Sequence, residues 1–188
     1  MPVIELPEAA SSEQKDADPR TTIRAPRAED GAQVLKLIKR CPPLDQNSAY
    51  CYLLQCSQFA DTSAIAEMDG TTVGFISGHR LPNDPDALFI WQVAVAEEAR
   101  GQGLGRKMML DILRRPTSVG FTHLLATATD DNTSSKGMFQ SLARVLETDM
   151  GQSLLFDQDI HFAGAHESEI LLTIGPFSAQ INKGQTSS

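Results

Sequence analysis

An α/β (α+β) fold, with a central mixed but mostly antiparallel sheet of about seven strands flanked by about four helices, is predicted by three observations. Segments of strand and helix periodicity alternate in the order strand, two helices, three strands, helix, strand, helix, two strands. Asp69-Gly70, a dipeptide suited to the positive backbone angles of a tight hairpin, sits between two strand-like runs and makes them antiparallel. An apolar strand, FIWQVAV, runs through a short acidic link into RGQGLG, which opens a helix.

Thr22 to Ala25 reads as the first strand, and Glu29 to Cys41 carries a helical stripe of Val34, Leu35, Leu37 and Ile38 that Pro42 and Pro43 end. Asn47 is the expected cap of a second helix, with Tyr50, Leu53, Leu54 and Phe59 on its inner side. Ala64 to Met68 and Thr72 to Leu81 form the hairpin about Asp69-Gly70, and Leu88 to Val95 follows as an apolar strand. A helix from Gly103 to Arg115 is stopped by Pro116, Phe121 to Thr129 returns as a strand, and Asn132 to Leu146 is the last helix. Met150 to Phe156 and Glu169 to Ile174 complete the strands, joined by the polar segment DQDIHFAGAHES. One domain is expected over residues 20–176, with residues 1–19 a disordered tail and residues 177–188 a flexible one, since both ends are polar and poor in large apolar side chains.

Composition narrows the function. Sixteen basic residues against 24 acidic ones give a net charge of −8, the wrong sign for gripping a phosphate backbone, so no nucleic-acid partner is expected. No run approaches the roughly 20 apolar residues a membrane helix needs, and the first residues lack a basic-then-apolar leader pattern. A cytoplasmic protein without membrane contact is the expectation. Cys41, Cys51 and Cys56 show neither CxxC spacing nor a His partner, so reduced thiols and no metal are expected.

In RGQGLG, glycines at 101, 103 and 105 allow backbone to approach phosphate oxygens, while the unpaired amides of the helix start face the anion with the helix dipole behind them. A pyrophosphate fits this turn; a glycine-rich hairpin is the bland alternative. The spacing is not GxGxxG, and no GxxxxGK[ST] is present.

Arg100, Gly103 and Gly105 match [QR]-x-x-G-x-[GA], and here the chain resembles the GNAT superfamily of N-acetyltransferases, whose element order is also the one derived above. The resemblance implies acetyl-CoA as cosubstrate, with the loop of Arg100, Gly101, Gln102, Gly103, Gly105 and Arg106 on its pyrophosphate, and backbone groups of Val93 and Val95 on its pantetheine arm and thioester. NTSSKGMF resembles the family's next motif, which places Asn132 and Ser135 along the coenzyme arm; Asn132 is equally suited to cap its helix. Many relatives carry a Tyr seven residues after this Asn to protonate the leaving thiolate, whereas this chain has Phe139. CPPLDQNSAYCYLLQC, FIWQVAVAEEARGQGLG and HESEILLTI further resemble the diaminobutyrate acetyltransferases of ectoine biosynthesis. That implies a small diamino-acid substrate acetylated on its 4-amino group by direct attack in a ternary complex, and a homodimer.

A diamino acid brings two ammoniums and a carboxylate. Asp45, in the PPLDQN loop, is a candidate partner for an ammonium, or a turn residue. Glu169 begins an apolar strand and so has more need of a partner than Glu167. Trp91 packs against the aliphatic chain or fills the core, and Asn132 is the further substrate candidate. Glu169, directly or through water and with His166 nearby, is the expected proton acceptor, and Tyr50 or water the replacement for the missing acid. The alternatives are the same fold acting on another small amine or a protein amino terminus, and a non-catalytic acyl-CoA-binding regulator.

Overall fold

A computed structural model describes residues 21–178. The strands are β1 (Thr21–Arg24), β2 (Ala64–Met68), β3 (Thr71–Leu81), β4 (Asp84–Val95), β5 (His123–Ala128), β6 (Met150–Phe156) and β7 (Glu169–Ile174). The helices are α1 (Gly31–Lys39), α2 (Ala49–Ser57), α3 (Leu104–Leu113), α4 (Thr133–Val145) and α5 (Gln158–Phe162). The sheet runs β1-β2-β3-β4-β5-β7-β6; among the described residues β4 and β5 pair in parallel and every other neighbour is antiparallel.

The predicted class and order hold, with α5 added inside the segment read as a connection. Five residues are too few to show a helical period; Asp157 starts them by accepting from the amides of Asp159 and Ile160, and Ala163 ends them at φ +50°. β4 starts at Asp84 rather than Leu88, because Leu81 pairs with Asp84 and closes a tight hairpin with β3. Pro85 is tolerated there since pairing with β5 begins only at Ala87. Asp69 and Gly70 have φ +49° and +77°, the positive pair expected of the β2–β3 turn.

Two readings of α2 are corrected. Ser48, not Asn47, caps it, accepting from the Cys51 amide. Its inner face is Tyr52, Gln55 and Cys56, whereas Tyr50, Leu53 and Phe59 are exposed. The sequence AYCYLLQCS is apolar nearly all round, so periodicity did not mark the buried stripe. Phe177, placed in the C-terminal tail, is buried and donates its N–H to Thr122 O at 2.9 Å, so ordered packing passes residue 176. The rest of both expected tails, apart from residue 178, lies outside the described residues.

Two neighbouring residues of β4 show how the layers are arranged. Gln92 donates to the carbonyl of Asp45 in the α1–α2 loop, and a Cβ on Gly105 of α3 would lie 3.7 Å from Val93 Cγ1. Successive strand side chains point to opposite faces, so α1 and α2 cover one face of the sheet and α3 and α4 the other. Phe75, Ile76, Leu88 and Ile90 fill the sheet between them, essentially without exposure. Each such side chain contributes about 1.5 to 3 kcal/mol of burial, which makes the β3–β4 hairpin the rigid base of the site.

Candidate active site

The site begins where two parallel strands part. β4 and β5 pair from Ala87↔His123 to Ile90↔Ala126 and no further, although β5 stays paired with β7 as far as Ala128. One residue beyond the last pair, the β3 register jumps from Gly78↔Ile90 to Ser77↔Gln92, leaving Trp91 as the extra residue of a bulge. A bulge bends its strand, and here β4 turns away from β5 and leaves a gap. Ala96 N–H bonds to Val73 O on the β3 side, so alternation turns the backbone groups of Val93 and Val95 toward the gap. Val95 O accordingly accepts from side chains, Arg100 Nε at 3.1 Å and Cys41 Sγ at 3.5 Å.

β4 then leads into the glycine turn. Gly101 and Gly103 have φ +76° and +67°, and Gly103 is the residue from which α3 starts. The first amides of α3 therefore have no partner inside the helix and point out beyond its end. Gln102 Nε2 approaches Glu98 O at 3.4 Å, and Arg106 is drawn to Ser141 Oγ at 2.7 Å, so its guanidinium lies along α4. Gly105 has a packing reason to be glycine: a Cβ there would crowd the sulfur of Met138 on α4. Asn132 caps α4, its Oδ1 accepting from the Ser135 amide at 3.0 Å, which places both residues at the helix start beside the gap-side end of β5.

At Gly103 the constraint is backbone conformation, since an added Cβ would meet only Arg106 Nη2 at 3.6 Å. A β-branched residue held at positive φ costs about 1 to 3 kcal/mol, and relieving it moves the amides that define the turn. Gly103→Val is expected to weaken coenzyme A binding by roughly 5- to 150-fold, the same range as that cost. Calorimetry on the folded variant checks this, and an unchanged affinity removes the turn from the site.

On the α1–α2 face, a cavity of about 450 Å³ brings together Asp45, Trp91, His166 and Glu169, four residues singled out in sequence. Trp91 is 51% exposed, so it lines the cavity instead of filling the core. His79, Phe89, Thr127, Phe156 and Phe162 complete the lining and were not anticipated. His79 and Phe89 are register partners on β3 and β4, visible only once the hairpin is paired, and Phe162 belongs to the unforeseen α5. Burial lowers the pKa of His79, which rests between Phe59 and Phe89 and so favours its neutral form.

Two expected residues do not reach this cavity. Tyr50 is 68% exposed on α2 and is not part of the lining, and Asn132 is committed to the α4 cap. Phe139, at the family's usual acid position, is buried in the core.

Glu169 and His166 form a pair, with Nε2 4.0 Å from Oε1 and side-chain exposures of 41% for the His and 20% for the Glu. His166 Nδ1 lies 2.7 Å from Glu167 O. A carbonyl only accepts, so Nδ1 carries the hydrogen and the neutral ring keeps its lone pair on Nε2, toward Glu169. Two carboxylates, Asp45 and Glu169, thus line one cavity, an arrangement suited to cationic groups.

Burial raises the pKa of all three thiols, Cys56 to about 12, so they remain protonated at neutral pH. Among the described residues no group of three or more His, Cys, Asp or Glu could hold a metal ion, and no helix is long and apolar enough to cross a membrane.

Residues 32–143 match the model of the acetyltransferase (GNAT) family. The chain is 48% identical over 165 residues to the L-2,4-diaminobutyric acid acetyltransferase of Methylotuvimicrobium alcaliphilum, covering 88% of this chain and 96% of that one. It is 44% identical to the enzyme of that name from Halomonas elongata, over 82% and 81% of the two chains. The diaminobutyrate acetyltransferase EctA from Paenibacillus lautus, solved with its substrate L-2,4-diaminobutyric acid and coenzyme A, superposes with a TM-score of 0.81 at 35% identity, over 89% of this chain and all of that one. On these matches, the chain belongs to the L-2,4-diaminobutyric acid acetyltransferases of the GNAT family.

Proposed function

We propose that this protein transfers the acetyl group of acetyl-CoA to the 4-amino group of L-2,4-diaminobutyrate, giving 4-N-acetyl-L-2,4-diaminobutyrate for ectoine biosynthesis. The observation that carries the reading is the cavity holding Asp45, Trp91, His166 and Glu169. Two carboxylates suit a substrate with two ammoniums, and the parted β4 edge beyond Trp91 suits the thioester arm.

The reacting amine must first lose a proton. An aliphatic ammonium with a pKa near 10.4 costs about 4 to 5 kcal/mol to neutralise at pH 7. A carboxylate beside it holds it but raises its pKa, whereas burial against the thioester lowers it. Glu169, directly or through water and with His166 beside it, takes this proton. The nitrogen lone pair then forms the C–N bond to the thioester carbon, the C–S bond breaks, and the thiolate leaves. Nitrogen sheds its second proton as the thiolate gains one. Water carries that transfer, because Phe139 has no proton to give and Tyr50 lies off the cavity.

Mass spectrometry of products from acetyl-CoA and a panel of diamines tests the substrate: diaminobutyrate should be the preferred acceptor, and preference for a polyamine or peptide would move the assignment. Release of free thiol that depends on diaminobutyrate rules against a non-catalytic regulator. The protonated thiols give direct transfer a second test. A Cys41→Ala, Cys51→Ala, Cys56→Ala protein that folds should keep turnover within about threefold, whereas an acetyl-cysteine that forms and decays at the turnover rate would make the transfer covalent.

The reading includes a cytoplasmic location and a homodimer. The free cysteines suit a reducing compartment. β6 is a sheet edge with Leu154 57% exposed, and Ile160 of α5 beside it is 81% exposed, features that favour a second copy over solvent. Sedimentation at micromolar concentration distinguishes dimer from monomer.

A further inference from the structure

Gln92 is buried to about nine-tenths, yet its polarity is used at one end only. Its Nε2 donates to the backbone carbonyl of Asp45 at 2.9 Å. A carbonyl only accepts, so the NH₂ group must be the end facing it. The other end, Oε1, is buried with no hydrogen-bond partner among the described residues, and so is Oγ of Ser77, its register partner on β3. An orphaned buried oxygen costs free energy that an apolar side chain of the same shape would not. Packing alone therefore favours Met or Leu at this position, and the single bond to Asp45 is what the amide provides.

That bond joins the middle of the loop to the sheet, just after a turn in which Leu44 N–H donates to Cys41 O at 3.1 Å. The α1–α2 connection is held at its start by Cys41 Sγ on Val95 O and at its end by the Asn47 amide on Tyr52 Oη, at 3.5 and 3.0 Å. Asp45 itself is exposed, and neither an ion pair nor a side-chain hydrogen bond fixes its carboxylate among the described residues. Gln92, rooted in β4 one residue from the Trp91 bulge, thus ties the substrate-facing residue of the loop to the strand along which the thioester lies.

We propose that Gln92 is a positioning residue for regioselectivity, acting through its bond to Asp45 O to hold the Asp45 carboxylate at a fixed distance from the acetyl group. This rests on the cavity being the diaminobutyrate site. Free to move, the carboxylate would still attract an ammonium but would no longer fix which amine reaches the thioester.

The test compares wild type, Gln92→Met, Asp45→Ala and the double variant for thermal stability, coenzyme A affinity, steady-state kinetics and the ratio of 4-N to 2-N product. Gln92→Met should melt at the same or a higher temperature and bind coenzyme A within twofold of wild type. Its KM for diaminobutyrate should rise at least fivefold, more than its kcat falls, and its isomer ratio should drop. In the Asp45→Ala background the same change should add less than twofold, as expected of residues acting as a unit. Unchanged KM and isomer ratio in folded Gln92→Met, or full additivity in the double variant, overturns the proposal. If Gln92→Met does not fold, Gln92→Leu carries the same test, because it removes the N–H donor without burying a charge. A wild-type enzyme that leaves diaminobutyrate unacetylated refutes the functional reading instead, which separates the two failures.

Discussion

Glu169→Gln is expected to lower kcat by about 10²- to 10⁴-fold, the range over which a positioned general base contributes, with coenzyme A affinity unchanged. The amide keeps the size of the side chain and still accepts a hydrogen bond from an ammonium, but at neutral pH it has no basicity. Position supports the assignment: Glu169 opens β7 opposite Phe156, lines the cavity, and stands 4.0 Å from His166 Nε2. Asp45 lines the same cavity from a different element, so an ammonium held there should stay held in the variant. Loss should therefore fall mainly on kcat, with KM changed severalfold at most. Pre-steady-state thiol release gives the chemical step directly. A Glu169→Gln enzyme that turns over within threefold of wild type would move the proton acceptor elsewhere, with His166 the next group to test.

Much of this architecture was legible in the chain because its signals are local. β2, β6 and β7 have the boundaries their composition indicates, and the Asp69-Gly70 turn and the glycine start of α3 have the positive φ values their residues favour. The parting of β4 and β5 was not legible, since it depends on a parallel register ending at Ile90↔Ala126 and on a bulge at Trp91 that no short window records. For the same reason His79, Phe89 and Thr127 were missed: each is a strand residue whose place in the cavity depends on which neighbour it acquires. Tyr50 lies outside the lining for the opposite reason. Its chemistry suited an acid, but α2 presents Tyr52 inward and leaves Tyr50 in solvent. Asp45 and Glu169 could be proposed because a charged residue beside apolar runs needs a partner, and the fold brings both to one cavity.

Asp45→Ala should act on selectivity as well as affinity. Both amines of diaminobutyrate can attack a thioester, so the choice between them must come from which one is held back. Asp45 reaches the cavity from the α1–α2 loop, a different element from that of the Glu169–His166 pair proposed to take the proton. An α-ammonium anchored on Asp45 is kept charged, since an adjacent anion raises its pKa, and a charged amine does not attack. The distal amine is then the one left beside the proton acceptor and the β4 edge. Losing a hydrogen bond to a charged group costs about 1.5 to 3 kcal/mol, which corresponds to a rise in KM of roughly 10- to 150-fold. The isomer ratio should fall with it, because the α-amine gains access to the same carbonyl. Chromatography that resolves the 4-N and 2-N products, run at substrate concentrations below KM for each enzyme, reads both effects. The two substitutions should fail differently, Glu169→Gln slowly but with the right isomer and Asp45→Ala weakly and with a mixture. An Asp45→Ala enzyme with wild-type KM and a single product would remove Asp45 from the site and leave regioselectivity to the shape of the aromatic wall.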